Sequence, residues 1–97
     1  MFNLSAGIGD ATPIYIDKGE GMTKLKSLRR EIDEIDRQII ALLEKRLDIA
    51  RQIGEIKKNL GLPIEDKERE VEILSRAGRF REIFEKILEV SKDVQRL

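Results

Sequence analysis

Three basic residues are candidates for binding a small anion, two of them on the same face of one helix. Lys57 follows Arg46 by eleven residues, which on an α-helix is about three turns with only ~20° of angular drift. Both side chains would therefore point the same way, ~16 Å apart along the axis, and could converge on one ligand. Arg29 lies seventeen residues before Arg46, which places it ~25 Å away and turned by ~100°, so it cannot share that ligand within its own helix.

One long helix must position these residues, and we predict it over Leu25–Leu60. Its apolar residues recur at alternating spacings of three and four, as in helices that pack along their length. A helix of this length would extend ~55 Å, which is more than a domain of this size needs to close on itself. We call this row of apolar residues the seam, and it consists of Leu25, Leu28, Ile32, Ile35, Ile39, Leu42, Ile49, Ile53, Ile56 and Leu60.

Arg46 interrupts the seam. It stands between Leu42 and Ile49, where the spacing predicts an apolar residue. Two interpretations stay open for Arg46 taken alone. It is either a polar residue that sets the register and extends to water, or a cation that binds a ligand.

Pairing of two chains would bring the distant arginine to the other two cations. If two copies of the long helix pair antiparallel about a two-fold axis near Leu42 and Leu43, Arg29 of one chain lies beside Lys57 of the other. A homodimer would then collect Arg46, Lys57 and the partner's Arg29 around one cavity, twice over. Such a cavity suits a small dianion with hydroxyl or ether groups, held by charge-assisted hydrogen bonds.

Two shorter helices are predicted after the long one. Asn59–Gly61 and Pro63 mark the end of the long helix. Asp66 is the predicted N-cap of a short helix that ends before Gly78, and a third helix runs from about Phe80 to the C-terminus. The predicted fold class is therefore all-α, with a long, a short and a medium helix in each chain.

The two shorter helices each show an apolar face. Val71 and Leu74 are expected to supply that of the short helix. Ser91 is the polar exception in the third helix. The inward stripe of the third helix is expected to consist of Phe80, Phe84, Ile87, Ser91 and Val94.

Polar residues of these helices could complete the cavity. Arg69 and Glu70 stand at the start of the short helix, and Ser91 and Gln95 lie on the third helix. Taken singly, Lys57 and Arg69 read as ordinary surface charges, and Glu70 as a partner of the helix dipole. Ser91 alone reads as a satisfied core hydroxyl, and Gln95 as a solvent-exposed side chain. Their joint placement is what favours a binding site.

Composition excludes several classes of function. The 97 residues allow one small domain, and nineteen basic residues balance nineteen acidic ones, so no net field attracts nucleic acid or a membrane surface. The absence of cysteine and histidine removes disulfides, thiolate chemistry and histidine-based catalysis. No apolar run reaches the length of a membrane span, so we expect a cytoplasmic protein. Abundant Glu, Lys and Arg resemble thermophile composition.

Residues 1–21 differ from the rest of the chain. They hold four of the seven glycines and show no helical period. Gly19–Gly21 is expected to break the chain before Met22, and Thr23 to cap the long helix. The segment is interpreted either as a flexible leader, with Met22 as the functional start, or as a β-arm around residues 14–16. The functional domain is predicted over residues 22–97.

Residues between 23 and 95 form a pattern that extends over all three predicted helices. It consists of Leu28-Arg29, Ile32, Ile35-Asp36, Leu42-Leu43-Glu44-Lys45-Arg46, Lys57, Pro63 to Glu70, and Ser91 to Gln95. This pattern resembles the all-helical chorismate mutase family, and the spacings from Arg29 through Glu70 match the family without gaps. The resemblance implies an intertwined homodimer with two active sites that converts chorismate to prephenate.

The resemblance also implies a role for each site residue. Arg46 would hold one substrate carboxylate and the partner's Arg29 the other. Lys57 would contact a carboxylate and the ether oxygen, to which Gln95 would donate from the opposite side.

The remaining family positions would surround the ring hydroxyl. Glu70 and the Asp66 region would hold this hydroxyl, while Ser91 and Arg69 would complete the polar lining.

The implied reaction does not need the cysteine or histidine that this chain lacks. A Claisen rearrangement is intramolecular, so it needs no cofactor, metal, nucleophile or proton relay; fixed cations and a neutral donor suffice. Two rivals stay open: an isochorismate pyruvate-lyase with a similar cationic cavity, and a non-catalytic helical dimerisation or regulatory module.

Overall fold

The structure is a computed structural model that describes residues 17–97, and it is all-helical over that range. Helix α1 spans Lys18–Leu60, and α2 spans Lys67–Ala77. A single turn of 3-10 helix, Gly78–Phe80, joins α2 directly to α3, which spans Arg81–Gln95. The all-α prediction is confirmed for these residues. The proposed β-arm around residues 14–16 lies outside them.

The chain divides into two compact units, and residues 17–36 of the first unit hold the start of α1. The carboxylate of Asp17 accepts a hydrogen bond from the Glu20 backbone N–H at 2.8 Å. That bond is the main cause of the lowered pKa of Asp17. Thr23 lies inside the helix, where its Oγ1 donates to the Gly19 carbonyl at 3.1 Å.

The predicted chain break at Gly19–Gly21 and the predicted cap at Thr23 are therefore wrong. Each glycine inside a helix costs about 1 kcal/mol relative to alanine, so glycine weakens a helix without prohibiting it. The side chain of Asp17 caps the helix nearly two turns before the expected cap at Thr23.

The second unit, residues 37–97, contains the rest of α1 together with α2 and α3. Helix α1 ends as predicted, since Gly61 takes a positive φ of 71°. The Leu62 N–H then reaches back to the Lys57 carbonyl at 2.8 Å. A left-handed residue followed by this long return bond is a common helix terminus.

The start and end of α2 also agree with the sequence. The Asp66 carboxylate accepts a hydrogen bond from the Arg69 backbone N–H at 3.1 Å, which is the expected N-cap contact. Gly78, with φ 57°, ends α2. The α-helical part of the third helix begins at Arg81, because Phe80 still belongs to the 3-10 turn.

The buried centre of the second unit is small. Ala50 of α1 and Leu88 and Ser91 of α3 are its buried side chains. Ser91 was predicted on the inward stripe and Leu88 was not. Phe80, predicted on that stripe, is 53% exposed.

The apolar face of α2 also differs from the prediction. Val71 is 67% exposed, so it does not lie on the inward face of α2 in a single chain. Leu74 is half-buried as predicted, and Ile73, which was not predicted, is half-buried as well.

All ten seam residues of α1 are exposed. Their exposures range from 38% at Leu25 to 67% at Leu60. A row of large aliphatic side chains left in water is unusual for a monomer. Among residues 17–97, none of the helices is long and apolar enough to cross a membrane.

Candidate active site

A cavity of about 360 Å³ opens between the second unit's part of α1, α2 and α3. Its volume lies in the range of sites for small organic ligands. Aliphatic side chains form its walls, and polar side chains enter from all three helices. It is lined by Arg46, Ile49, Ala50, Ile53, Lys57, Ile64, Asp66, Arg69, Glu70, Ile73, Leu88, Ser91, Lys92 and Gln95.

Arg46 enters the cavity from α1 and is anchored on α3. Its Nη1 donates to the Ser91 Oγ at 2.5 Å, and the Ser91 hydroxyl donates in turn to the Ile87 carbonyl at 2.7 Å. Burial, and after it the positive charge of Arg69, lowers the pKa of the Arg46 guanidinium. The guanidinium is thus held in a partly desolvated position beside a second cation, where a bound anion would offset both effects.

Lys57 holds the side chain of Gln95 in a defined orientation. The Lys57 ammonium donates to the Ile64 carbonyl at 2.7 Å and to the Gln95 Oε1 at 3.2 Å. Because an ammonium can only donate, the oxygen of the Gln95 amide faces Lys57 and the NH₂ group faces away from it. One ammonium proton and the NH₂ group of Gln95 are left to donate to a ligand.

Acidic groups in the cavity already have partners. Asp66 caps α2, and the Glu70 carboxylate lies 3.2 Å from the Lys92 ammonium. Lys92 also lies 3.8 Å from the Glu65 carboxylate. Arg69 pairs with Glu72 at 3.1 Å.

Two cations of the cavity have no carboxylate partner. In the part of the chain that the structure describes, neither Arg46 nor Lys57 forms a salt bridge. Both are partly buried and both donate to neutral oxygens. This arrangement can bind a small dianion, and it can place donors on an oxygen atom between Lys57 and Gln95.

The structure brings together seven of the eight residues that the sequence assigned to substrate binding. The eighth, Arg29, lies on α1 in the other compact unit, where its side chain is exposed. The sequence predicts that Arg29 contributes to the cavity of a partner chain and not to that of its own chain. The seven that share the cavity are Arg46, Lys57, Asp66, Arg69, Glu70, Ser91 and Gln95.

Lys92 and Leu88 line the cavity but were missed. Lys92 follows Ser91 directly, and three to four residues separate it from Leu88 and Gln95 on α3. A helical wheel of α3 could have found Lys92, because a lysine adjoining the inward stripe can turn its ammonium toward an acidic neighbour.

Comparison with known proteins identifies the family. The sequence model of chorismate mutase type II matches residues 28–82, which is more than half of the chain. The chain belongs to the type II chorismate mutase family. The matched segment contains Arg29, Arg46, Lys57 and the start of α2, while Ser91 and Gln95 lie beyond it.

Two curated relatives are much longer than this chain. The chain is 49% identical over 75% of its length to a bifunctional chorismate mutase/prephenate dehydratase of Aquifex aeolicus. It is 45% identical over 73% of its length to a 3-dehydroquinate dehydratase of Pyrobaculum aerophilum. The aligned segments cover 17% and 24% of those proteins, so the chain spans less than a quarter of either relative.

A smaller relative and a solved structure complete the comparison. The chain is 47% identical over 55% of its length to the chorismate mutase of Methanocaldococcus jannaschii, of which the alignment covers 54%. A conserved hypothetical protein from Pyrococcus furiosus, whose structure is solved, is 74% identical in sequence, and the two structures superpose with a TM-score of 0.75. The similarity covers 75% of this chain and 96% of that chain.

Proposed function

We propose that this chain is a chorismate mutase that converts chorismate to prephenate, as a homodimer and without a cofactor. The reaction breaks the ether C–O bond of the substrate and forms a C–C bond within the same molecule, so no atom is gained or lost. The observation that carries the proposal is the cavity with two cations, Arg46 and Lys57, that have no carboxylate partner among the described residues. Family membership supplies the substrate.

The cavity offers the two contributions that this rearrangement needs. A flexible dianion must be held in a folded conformation that brings the reacting carbons together, and cations on its two carboxylates can do this. Arg46 would bind one carboxylate, and Arg29 of the partner chain the other. Negative charge that develops on the ether oxygen would be stabilised by Lys57 and by the NH₂ group of Gln95.

Residues at the start of α2 would bind the ring hydroxyl. The Glu70 carboxylate can accept a hydrogen bond from this hydroxyl, and the Asp66 region lies at the same end of α2. Ser91 and Arg69 would complete the polar lining, the former by holding the guanidinium of Arg46.

The exposed seam supports the homodimer. The ten seam residues of α1 are exposed in one chain, and their alternating spacing fits a second helix of the same kind. A second copy is the partner we propose for the seam, because an antiparallel pair would also supply Arg29 to the cavity. Burial of such a row would contribute roughly 1 kcal/mol or more for each large side chain.

The direct test is to incubate the purified protein with chorismate and to measure the formation of prephenate. We expect chorismate to be consumed and prephenate to accumulate in equal amounts. Isochorismate serves as the second substrate: release of pyruvate from it, without prephenate from chorismate, would favour the lyase. Turnover of neither compound would favour a non-catalytic dimerisation module.

A second prediction concerns Lys92, whose ammonium lies against the Glu70 carboxylate. We expect Lys92→Met to raise KM for chorismate about tenfold, because a hydrogen bond to a charged group contributes roughly 1.5–3 kcal/mol and Glu70 would lose its fixed position. The rate constant kcat should change less, since the hydroxyl contact is present in both ground state and transition state.

Lys86→Met is the matched control for Lys92→Met. Lys86 is another lysine of α3, it pairs with Glu89 at 2.7 Å, and its side chain is 71% exposed. Steady-state kinetics of the two variants side by side check the prediction. Equal KM values for Lys92→Met and the unchanged protein would show that the ammonium does not position Glu70 for binding.

A further inference from the structure

Gly54 of α1 is buried and lies directly against the last turn of α3. A methyl group at this position would lie 2.8 Å from the Gln95 Cα, 2.9 Å from the Gln95 carbonyl oxygen and 3.0 Å from the Gln95 Cβ. Two of these three atoms belong to the backbone, which cannot move aside by a change of rotamer. Any side chain at residue 54 would therefore displace the end of α3.

We propose that Gly54 is a positioning residue for Gln95. Its missing side chain lets the two helix backbones approach closely, and this approach brings the Gln95 amide within 3.2 Å of the Lys57 ammonium. Gly54 precedes Lys57 by one helical turn, so both act on Gln95 from the same face of α1. Gly54 itself does not touch the substrate.

Gln95 needs such support because of its place in the helix. It is the last residue of α3, and Arg96 after it bonds back, among the described residues, only within the same helix end, with its N–H at 3.2 Å from the Lys92 and Asp93 carbonyls and its guanidinium at 3.3 Å from the Asp93 carboxylate. Terminal helical turns fray readily unless tertiary packing holds them. The contact with Gly54 supplies that packing at the backbone of residue 95 itself.

This inference rests on the proposed function for its catalytic consequence. A donor to the ether oxygen acts only if it lies where the charge develops, and a displacement of 1 Å at a reacting centre can cost about 10² in rate. The methyl group of an alanine would force a shift of this order at Gln95, since contacts of 2.8–2.9 Å must lengthen to ordinary van der Waals distances.

The test is the variant Gly54→Ala, with Gly19→Ala as its control. Both replace a glycine of α1, but a methyl group at residue 19 would meet the Asp17 carboxylate at an ordinary 3.4 Å. We expect kcat for chorismate to fall about 10²-fold in Gly54→Ala and to stay unchanged in Gly19→Ala. Because alanine has a higher helix propensity than glycine, Gly54→Ala would stabilise an isolated helix. A lower stability of the variant would therefore reflect the contact with α3.

A double variant separates positioning from general destabilisation. Gly54→Ala should lower the thermal unfolding midpoint equally in the unchanged protein and in a Gln95→Ala background, because the clash with the backbone of residue 95 is the same in both. It should lower kcat by less than about twofold, because no donor is left to misplace. If the fold-losses in kcat of Gly54→Ala and Gln95→Ala multiply in the double variant, the two residues act independently and the inference is overturned.

Amide hydrogen exchange distinguishes failure of the inference from failure of the proposed function. In the unchanged protein, amides of residues 92–96 should be protected, and Gly54→Ala should speed their exchange whether or not chorismate is turned over. Faster exchange in a protein with no mutase activity would support the positioning role and reject the function. Unprotected amides in the unchanged protein would overturn the positioning role without any variant.

Discussion

Replacement of Arg46 by alanine is expected to reduce kcat/KM for chorismate by at least ~10²-fold, while the protein stays folded. The guanidinium is one of two cavity cations that form no salt bridge within residues 17–97, and the proposed reaction uses it to anchor a substrate carboxylate. Steady-state kinetics with chorismate give the measurement. Full activity of Arg46→Ala would reject the proposed role of this guanidinium in binding a substrate carboxylate.

The expected effect on stability is small, so a loss of activity can be assigned to the site. Loss of the guanidinium removes one hydrogen bond to the Ser91 Oγ, but the hydroxyl keeps its bond to the Ile87 carbonyl. One such bond contributes about 1 kcal/mol, and removal of a partly buried cation offsets part of that loss. Thermal unfolding should therefore shift only slightly. A collapse of the fold would show that Ser91 depends on Arg46 for more than one hydrogen bond.

Two further variants show which property of Arg46 matters. Arg51→Ala removes an exposed arginine of the same helix, which pairs with Asp48 at 3.1 Å on the surface, and should leave activity unchanged. Arg46→Lys keeps the charge but loses the planar fork that binds a carboxylate through two parallel hydrogen bonds. Its activity should lie between those of Arg46→Ala and the unchanged protein.

The sequence predicted those features that depend on neighbours along the chain. The Asp66 cap and the end of α1 at Gly61 are local arrangements of backbone and adjacent side chains, so residue type and order suffice. The same holds for the shared orientation of Arg46 and Lys57, which follows from helical periodicity alone. Both side chains do line one cavity.

Features that depend on the approach of another helix were beyond the sequence. Gly54 alone is compatible both with a close approach of another backbone or a ligand and with an exposed, tolerated glycine, and only the position of α3 decides for the close approach. The salt bridge between Lys92 and Glu70 joins α3 to α2, and the relative orientation of two helices cannot be read from the periodicity of either. The start of α1 was misjudged because the cap at Asp17 outweighs the low helix propensity of two glycines.

Arg46 illustrates how the two kinds of feature combine. Its departure from the apolar seam is visible in the sequence, but that departure alone left open a side chain extended to water. The structure places the guanidinium on Ser91 of α3 at 2.5 Å, inside the cavity. The bond to Ser91 rejects the extended conformation for a single chain.

A mixture of two inactive variants is expected to recover activity if the site is shared between chains. Arg29→Ala and Arg46→Ala each remove one proposed carboxylate anchor. In a heterodimer of the two, one site has Arg46 from its own chain and Arg29 from its partner, and the other site has neither. Random exchange of subunits at equal concentrations should therefore restore about a quarter of the activity of the unchanged protein.

The matched control mixes Lys57→Ala with Arg46→Ala. Lys57 and Arg46 line the cavity of the same chain, so every site of this heterodimer lacks one of them and no activity should return. Exchange itself is checked with differently tagged chains, whose co-purification reports heterodimers directly. Sedimentation of the unchanged protein as a dimer is the accompanying expectation for the exposed seam.

The two mixtures together separate a shared site from mere association. A dimer held by the seam, with Arg29 irrelevant to catalysis, would leave Arg29→Ala active before any mixing. A site that uses Arg29 of its own chain would give inactive single variants and no recovery in either mixture, although heterodimers form. Only donation of Arg29 across the dimer predicts recovery in the first mixture and none in the second, because only then do the two missing cations belong to different chains of one site.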